Sequence, residues 1–204
     1  MGLLDLFRGR PPIRDLHGLA DFIDRNAAFL VQKGIYEYSR ARAGHYAKVL
    51  FSEPTFREAL EKSRWSAYPL GLAMVAEAVE GVLGRQVNDD RQTALAALSS
   101  LVLSIFDRYS VPAALNDSEW NKARSELKRR LGLIGIHAAK PAKDIPEPFI
   151  EAYFDLIPIE KTLRASEFPT IRNYLRVSLC NIHAEFSKRA DISALASILS
   201  AAQH

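Results

Sequence analysis

Cysteine is almost missing from this chain of 204 residues: Cys180 stands alone, so no internal disulfide framework can form. That usage fits a reducing compartment, and a cytoplasmic address is expected. The motifs that announce a reaction are missing too. There is no Gly-rich phosphate loop, no His-Glu-x-x-His, no paired Cys-x-x-Cys and no nucleophile elbow. Five scattered histidines and one cysteine argue against a zinc site, and no cofactor is expected. Long apolar runs are also lacking. The longest uncharged stretch, Gln92 to Phe106, has 15 residues, below the roughly 20 that a helix needs to span a bilayer. No membrane span is therefore expected. The opening MGLLDLFRGR carries Asp5 and no run of seven apolar residues, so it does not read as a secretory signal. Residues 1–12 are expected to form a leader, free to flex, whose Leu3, Leu4 and Phe7 suit a packed or frayed first turn.

Excess charge of either sign is absent as well. A net charge of +3 and a pI near 9.0 are only mildly basic, so a nucleic-acid partner is not expected. What the chain does have is apolar content of 48% with 25% charged residues, the make-up of an ordinary globular protein. No segment alternates with strand period for more than a few residues, and no repeat is visible. The reading is an all-α fold: a single domain over 1–204, a bundle of about seven helices, with 140–148 as a Pro-rich connecting loop.

Tyr68 to Leu83, YPLGLAMVAEAVEGVL, is the densest run of helix formers and apolar bulk. It is expected at the centre of the bundle, with a kink before it where Pro69 removes a helical hydrogen bond. Leu72, Val75, Val79, Val82 and Leu83 share one arc about 100° wide. Glu77 and Glu80 point the other way, onto a strip with Ala73, Ala76 and Gly84. That strip reads as solvated, or as a groove for close approach of a neighbour, rather than as a metal site.

The other helices follow from caps and stripes. A long one opens at Asp15 and can be followed to Val49, with Gly34 and Gly44 as points of bending. Ser52 and Pro54 start the central helix. Asp89 or Asp90 opens the next, whose stripe runs Leu95, Leu98, Val102, Ile105, Tyr109. Asn116 or Asp117 opens a fourth that stops near Gly132. A short helix over Phe149 to Leu156, a long one from Pro169 to Arg189 and a last one capped by Asp191 complete the set.

Two polar constellations interrupt apolar stripes. Tyr38, Arg42 and His45 lie on one face with Val31, Ile35 and Val49, a candidate pocket floor in which arginine requires an acidic partner or a bound anion. Arg172 and Arg176 are like charges one turn apart, with His183 and Cys180 on the same arc; an anion between the arginines would relieve their repulsion. Cys180 with His183 lacks a third orienting group and does not read as catalytic. The basic run Lys122 to Arg130 closes a helix that begins Asn116, Asp117, Glu119, the charge order that complements a helix dipole. No family resemblance emerges from these motifs. The leading expectation is a non-enzymatic helical interaction or regulatory module that binds a protein partner or itself. Second comes a domain for an anionic small molecule, built from Tyr38, Arg42, His45, Arg172, Arg176 and His183. A metal-dependent enzyme using Glu77 and Glu80 comes third.

Overall fold

The computed structural model describes residues 11–84, 91–136 and 138–201. The chain enters through α1 (Leu16–Val31), capped by the Asp15 carboxylate, which accepts the Gly18 N–H at 2.7 Å. Leu19, Phe22, Ile23, Ala27 and Leu30 recur at helical spacing and are buried together. A π-helical turn (Gln32–Glu37) leads into the short α2 (Tyr38–Ala43), a 3-10 turn (Gly44–Tyr46) and α3 (Ala47–Leu50). Then comes α4 (Pro54–Leu83), followed by α5 (Arg91–Phe106), α6 (Asp117–Leu131), α7 (Ile150–Asp155), α8 (Lys161–Arg164), α9 (Phe168–Arg189) and α10 (Ile192–Ala201). All seven helical segments expected from the sequence are present, the first broken into pieces and α8 added. The 140–148 loop holds 3-10 turns but no α-helix. Asn116 closes a capping box with Glu119, and Asp191 accepts the Ala194 N–H at 3.2 Å. The expected caps Asp89 and Asp90, and most of the leader, lie outside the described residues.

Among the described residues there is no strand, and the all-α class holds. One parallel bridge ties the ends of the fold together. The Ile13 N–H donates to the Arg189 carbonyl and the Asp191 N–H to the Ile13 carbonyl, both at 2.9 Å.

Around α4 pack α1, α5, α6, α9 and α10. From Ala67 to Leu83 every residue is buried except half-buried Glu77, so the expected two-sided helix is instead enclosed all round. Length and composition alone would let α4 cross a membrane, but 89% of that apolar window is buried inside the fold, the situation of a core helix. Pro69 does not end it: the helix runs unbroken from Pro54 to Leu83. Closest approach to a neighbour is at Gly71, where a Cβ would stand 3.0 Å from the Ala27 carbonyl oxygen of α1. At Gly81 no neighbour comes close: a Cβ there would meet nothing within 4 Å.

The first helix is broken by side chains arriving from far along the chain. Tyr153 and Tyr174 both donate to the Leu30 carbonyl, at 2.7 and 3.0 Å. They occupy the space beside Gly34, where a Cβ would stand 2.3 Å from the Tyr153 hydroxyl. Glycine permits that approach, and the wide turn there rotates everything downstream.

Gly34→Ala is expected to destabilise the fold by about 1–3 kcal/mol through overpacking against Tyr153 and Tyr174. Gly81→Ala, with open space for its methyl, is expected to stabilise by about 0.4–1 kcal/mol. Urea unfolding followed by circular dichroism measures both; equal effects of the two would contradict this packing.

Candidate functional site

The six residues singled out as an anion pocket do not come together in one concavity. Beyond the π turn and Gly44 the apolar face is not maintained: Val31 and Ile35 are buried, yet Arg42 and His45 are exposed and Val49 is 60% exposed. Arg42 reaches across to α8 and the turn before α9, donating to the Leu163 carbonyl at 3.1 Å with Nε 3.8 Å from Glu167. The Tyr38 hydroxyl is enclosed without a hydrogen-bond partner, and burial, then the Glu167 charge, raises its pKa. Further along α9, Arg172 forks onto Glu147 at 3.1 and 2.9 Å. Arg176 donates to the Lys143 carbonyl at 3.1 Å and lies 3.7 Å from Asp144 and 3.8 Å from Glu147. The anion that relieves the two arginines is thus supplied by the 140–148 loop of the same chain. His183 is half-buried on α9.

The central glutamates also have partners. Glu80, 5% exposed, accepts from Arg91 Nε at 3.2 Å and from its Nη2 at 2.7 Å, and Glu77 accepts from Lys140 at 2.8 Å. Arg91 at the start of α5, with Leu133, Gly135, Ala138, Ala139 and Lys140, covers the strip that sequence periodicity leaves to solvent. No group of three metal-ligating side chains occurs among the described residues.

A different concavity stands out. Between the first half of α4 and the loop after α5 lies a cleft of about 880 Å³. Its lining includes Tyr36 from the π turn, Phe51 after α3, Trp65 on α4, and Tyr109 to Ala114. Pro54 and Pro112 add apolar surface, while Arg57, Glu58 and Glu61 bring charge. Two groups of packed aromatic rings border it. Tyr36 and Phe51 have centroids 5.2 Å apart, and Phe51 continues to Phe56 at 5.2 Å. Trp65 meets Tyr109 at 5.3 Å and Trp120 at 5.9 Å, and Trp120 stacks on Phe106 at 4.1 Å. Beside the cleft Glu61 takes Arg64 at 2.6 Å, and Lys62 takes Glu119 on α6 at 2.7 Å.

The wall formed by Trp65 and Tyr109 is anchored from behind by one carboxylate. Asp24 on α1 accepts the Tyr68 hydroxyl at 2.6 Å and the Tyr109 hydroxyl at 3.0 Å to each oxygen. Burial, then the Asp24 carboxylate, raises both tyrosine pKa values. They are neutral donors in the fold, and their protons are committed to Asp24. Trp65 and Tyr109 also line a smaller hollow of about 210 Å³ with Ala28, Val31, Arg64 and Tyr68, so the pair divides two cavities. Sequence reasoning misses this site because Asp24 lies 44 and 85 residues from its partners. The one legible signal is that the α5 stripe ends on Tyr109.

Asp24→Leu is expected to cost about 2 kcal/mol, chiefly because the buried Tyr68 hydroxyl loses its acceptor. Adding Tyr68→Phe should return most of that loss; a double-mutant cycle in urea that finds the two additive would remove the coupling. The raised tyrosine values fix a sign for alkali. Folded values above the unfolded one mean that the stabilisation is whole below pH about 10 and is lost as pH rises beyond it. Tyrosinate absorbance from Tyr68 and Tyr109 should therefore grow together with loss of helical circular dichroism; smooth ionisation of all seven tyrosines with helicity intact would contradict it.

The chain matches no family model, no curated protein and no solved structure, so the geometry of the cleft is what bears on its function.

Proposed function

We propose that this chain is a non-enzymatic helical module, acting in the cytoplasm, that binds a short segment of a protein partner in the cleft between α4 and the loop after α5. The observation that carries this reading is the lining itself: an open cleft of about 880 Å³ bordered by Tyr36, Phe51, Trp65 and Tyr109. Tyrosine and tryptophan supply large contact area at little conformational cost, and they are the side chains that dominate binding at protein interfaces. Around them Arg57, Glu58 and Glu61 provide the charged rim that sets register and orientation. The wall is built before any partner arrives, since Asp24 and Trp120 already hold Tyr109 and Trp65 in place.

The anion-binding reading has less support than the sequence suggests. Arg42, Arg172 and Arg176 each lie within 4 Å of a carboxylate of the same chain, and none of the six residues lines the cleft.

Site-specific photo-crosslinking in the native cell tests the proposal. A photoreactive residue replacing Val111 or Glu58 in the cleft should capture one defined protein, whereas the same probe at exposed Lys188 should not. Trp65→Ala is expected to weaken binding of that protein by at least about 30-fold. Val111→Asp, at a position exposed in the free protein, should weaken it without unfolding the chain. Equal capture at all three positions, or none in the cleft, would overturn the reading.

A further inference from the structure

A second surface lies at the corner formed by α2, the 3-10 turn and α3. The stretch Tyr38 to Leu50, YSRARAGHYAKVL, contains Arg40, Arg42, His45 and Lys48 and no acidic residue. Its path is set by Gly44, whose φ of 53° is a backbone conformation suited to glycine and divides α2 from the 3-10 turn. Gly34, Ile35 and Ser39 are buried, whereas Gly44, His45, Tyr46, Lys48 and Val49 are exposed.

The consequence is an unusual concentration of exposed apolar bulk. Tyr46 is 77% exposed and Val49 60%, three residues apart in one short helical corner. Leu163 of α8, 61% exposed, is tied to the same corner by the Arg42 guanidinium on its carbonyl. These are three of the four most exposed large apolar side chains among the described residues. Glu37 and Glu53 flank this stretch in the chain, and three acids of the α8 region are occupied. Glu160 folds back onto the Thr162 and Leu163 N–H groups, and Glu167 faces Arg42. Asp155 lies 3.6 Å from Lys161 and 3.7 Å from Arg164. Arg40 and Lys48 are exposed and have no carboxylate within 4 Å among the described residues, and Lys48 lies between Tyr46 and Val49 in the chain.

We infer that this corner docks on an anionic lipid surface, with Tyr46, Val49 and Leu163 entering the headgroup region and Arg40 and Lys48 meeting the lipid phosphates and carboxylates. Tyrosine suits such a boundary because its ring is apolar and its hydroxyl remains wet. Long basic side chains place their charge at the headgroups while their stems lie on apolar surface. The contact is peripheral: it buries three side chains and uses no spanning segment. It is independent of the cleft, which shares no residue with it.

Co-sedimentation of the full-length protein with unilamellar vesicles tests it. Vesicles of phosphatidylcholine containing phosphatidylserine should carry the protein down, and pure phosphatidylcholine vesicles should not. Raising the salt should weaken the binding. Reversing two charges in Arg40→Glu with Lys48→Glu is expected to lower partitioning by at least about 25-fold. Tyr46→Ser with Val49→Ser should lower it severalfold at constant charge. The control reverses two charges elsewhere, Lys122→Glu with Lys128→Glu, in the most basic run of the chain, and should leave partitioning within about twofold. All variants sit at exposed positions, and unchanged circular dichroism certifies their folding. The inference is overturned if the wild-type protein stays in the supernatant, if both vesicle types bind alike, or if the control pair weakens binding as much as the corner pair.

Discussion

One half-buried carboxylate joins three parts of this molecule. Asp24 belongs to α1, Tyr68 to the centre of α4 and Tyr109 to the loop after α5, and both hydroxyls end on its oxygens. A charged acceptor makes these hydrogen bonds stronger than neutral ones, and buried Tyr68 leaves its hydroxyl little alternative. The same contact orients the ring of Tyr109 against Trp65, and so the wall of the cleft. Stability of the core and shape of the proposed binding surface therefore depend on one group of atoms.

The enclosed α4 imposes a second constraint. A helix surrounded on all sides has to account for each polar group it carries, and two glutamates fall within its buried half. The fold meets this with cations from elements that come later in the chain, Arg91 for Glu80 and Lys140 for Glu77. A buried carboxylate without such a partner would cost several kcal/mol. The pairs offset the cost of having glutamate there. The like-charged arginines of α9 follow the same logic, with Glu147 and Asp144 placed against them by the 140–148 loop.

Much of the architecture was legible in the residue pattern, because helix formation is a local matter. The Asn116 capping box, the Asp15 and Asp191 caps and the stripe Ile171, Leu175, Leu179, Ile182, Phe186 each involve residues within a turn or two of one another. Periodicity failed where a distant side chain changed the phase. The face containing Arg42 and His45 was read on a continuous helix, but Tyr153 and Tyr174 arrive at Leu30 from 123 and 144 residues away, beside a π turn that no propensity announces. Past that turn and Gly44, positions expected to face inward lie outside.

The candidate site divides along the same line. Tyr109 was legible as the end of an apolar stripe, and Pro54 as the start of a helix. That these residues would meet Tyr36, Phe51 and Trp65 around one cleft was not. Amino-acid order alone establishes the all-α class, the positions of most helices and the core face of each, since these follow from hydrogen bonds and apolar spacing over a few residues. Which carboxylate meets which cation, where the cleft opens and which aromatic rings line it were settled by packing. Those contacts join residues tens to more than a hundred positions apart, and no local pattern encodes that separation.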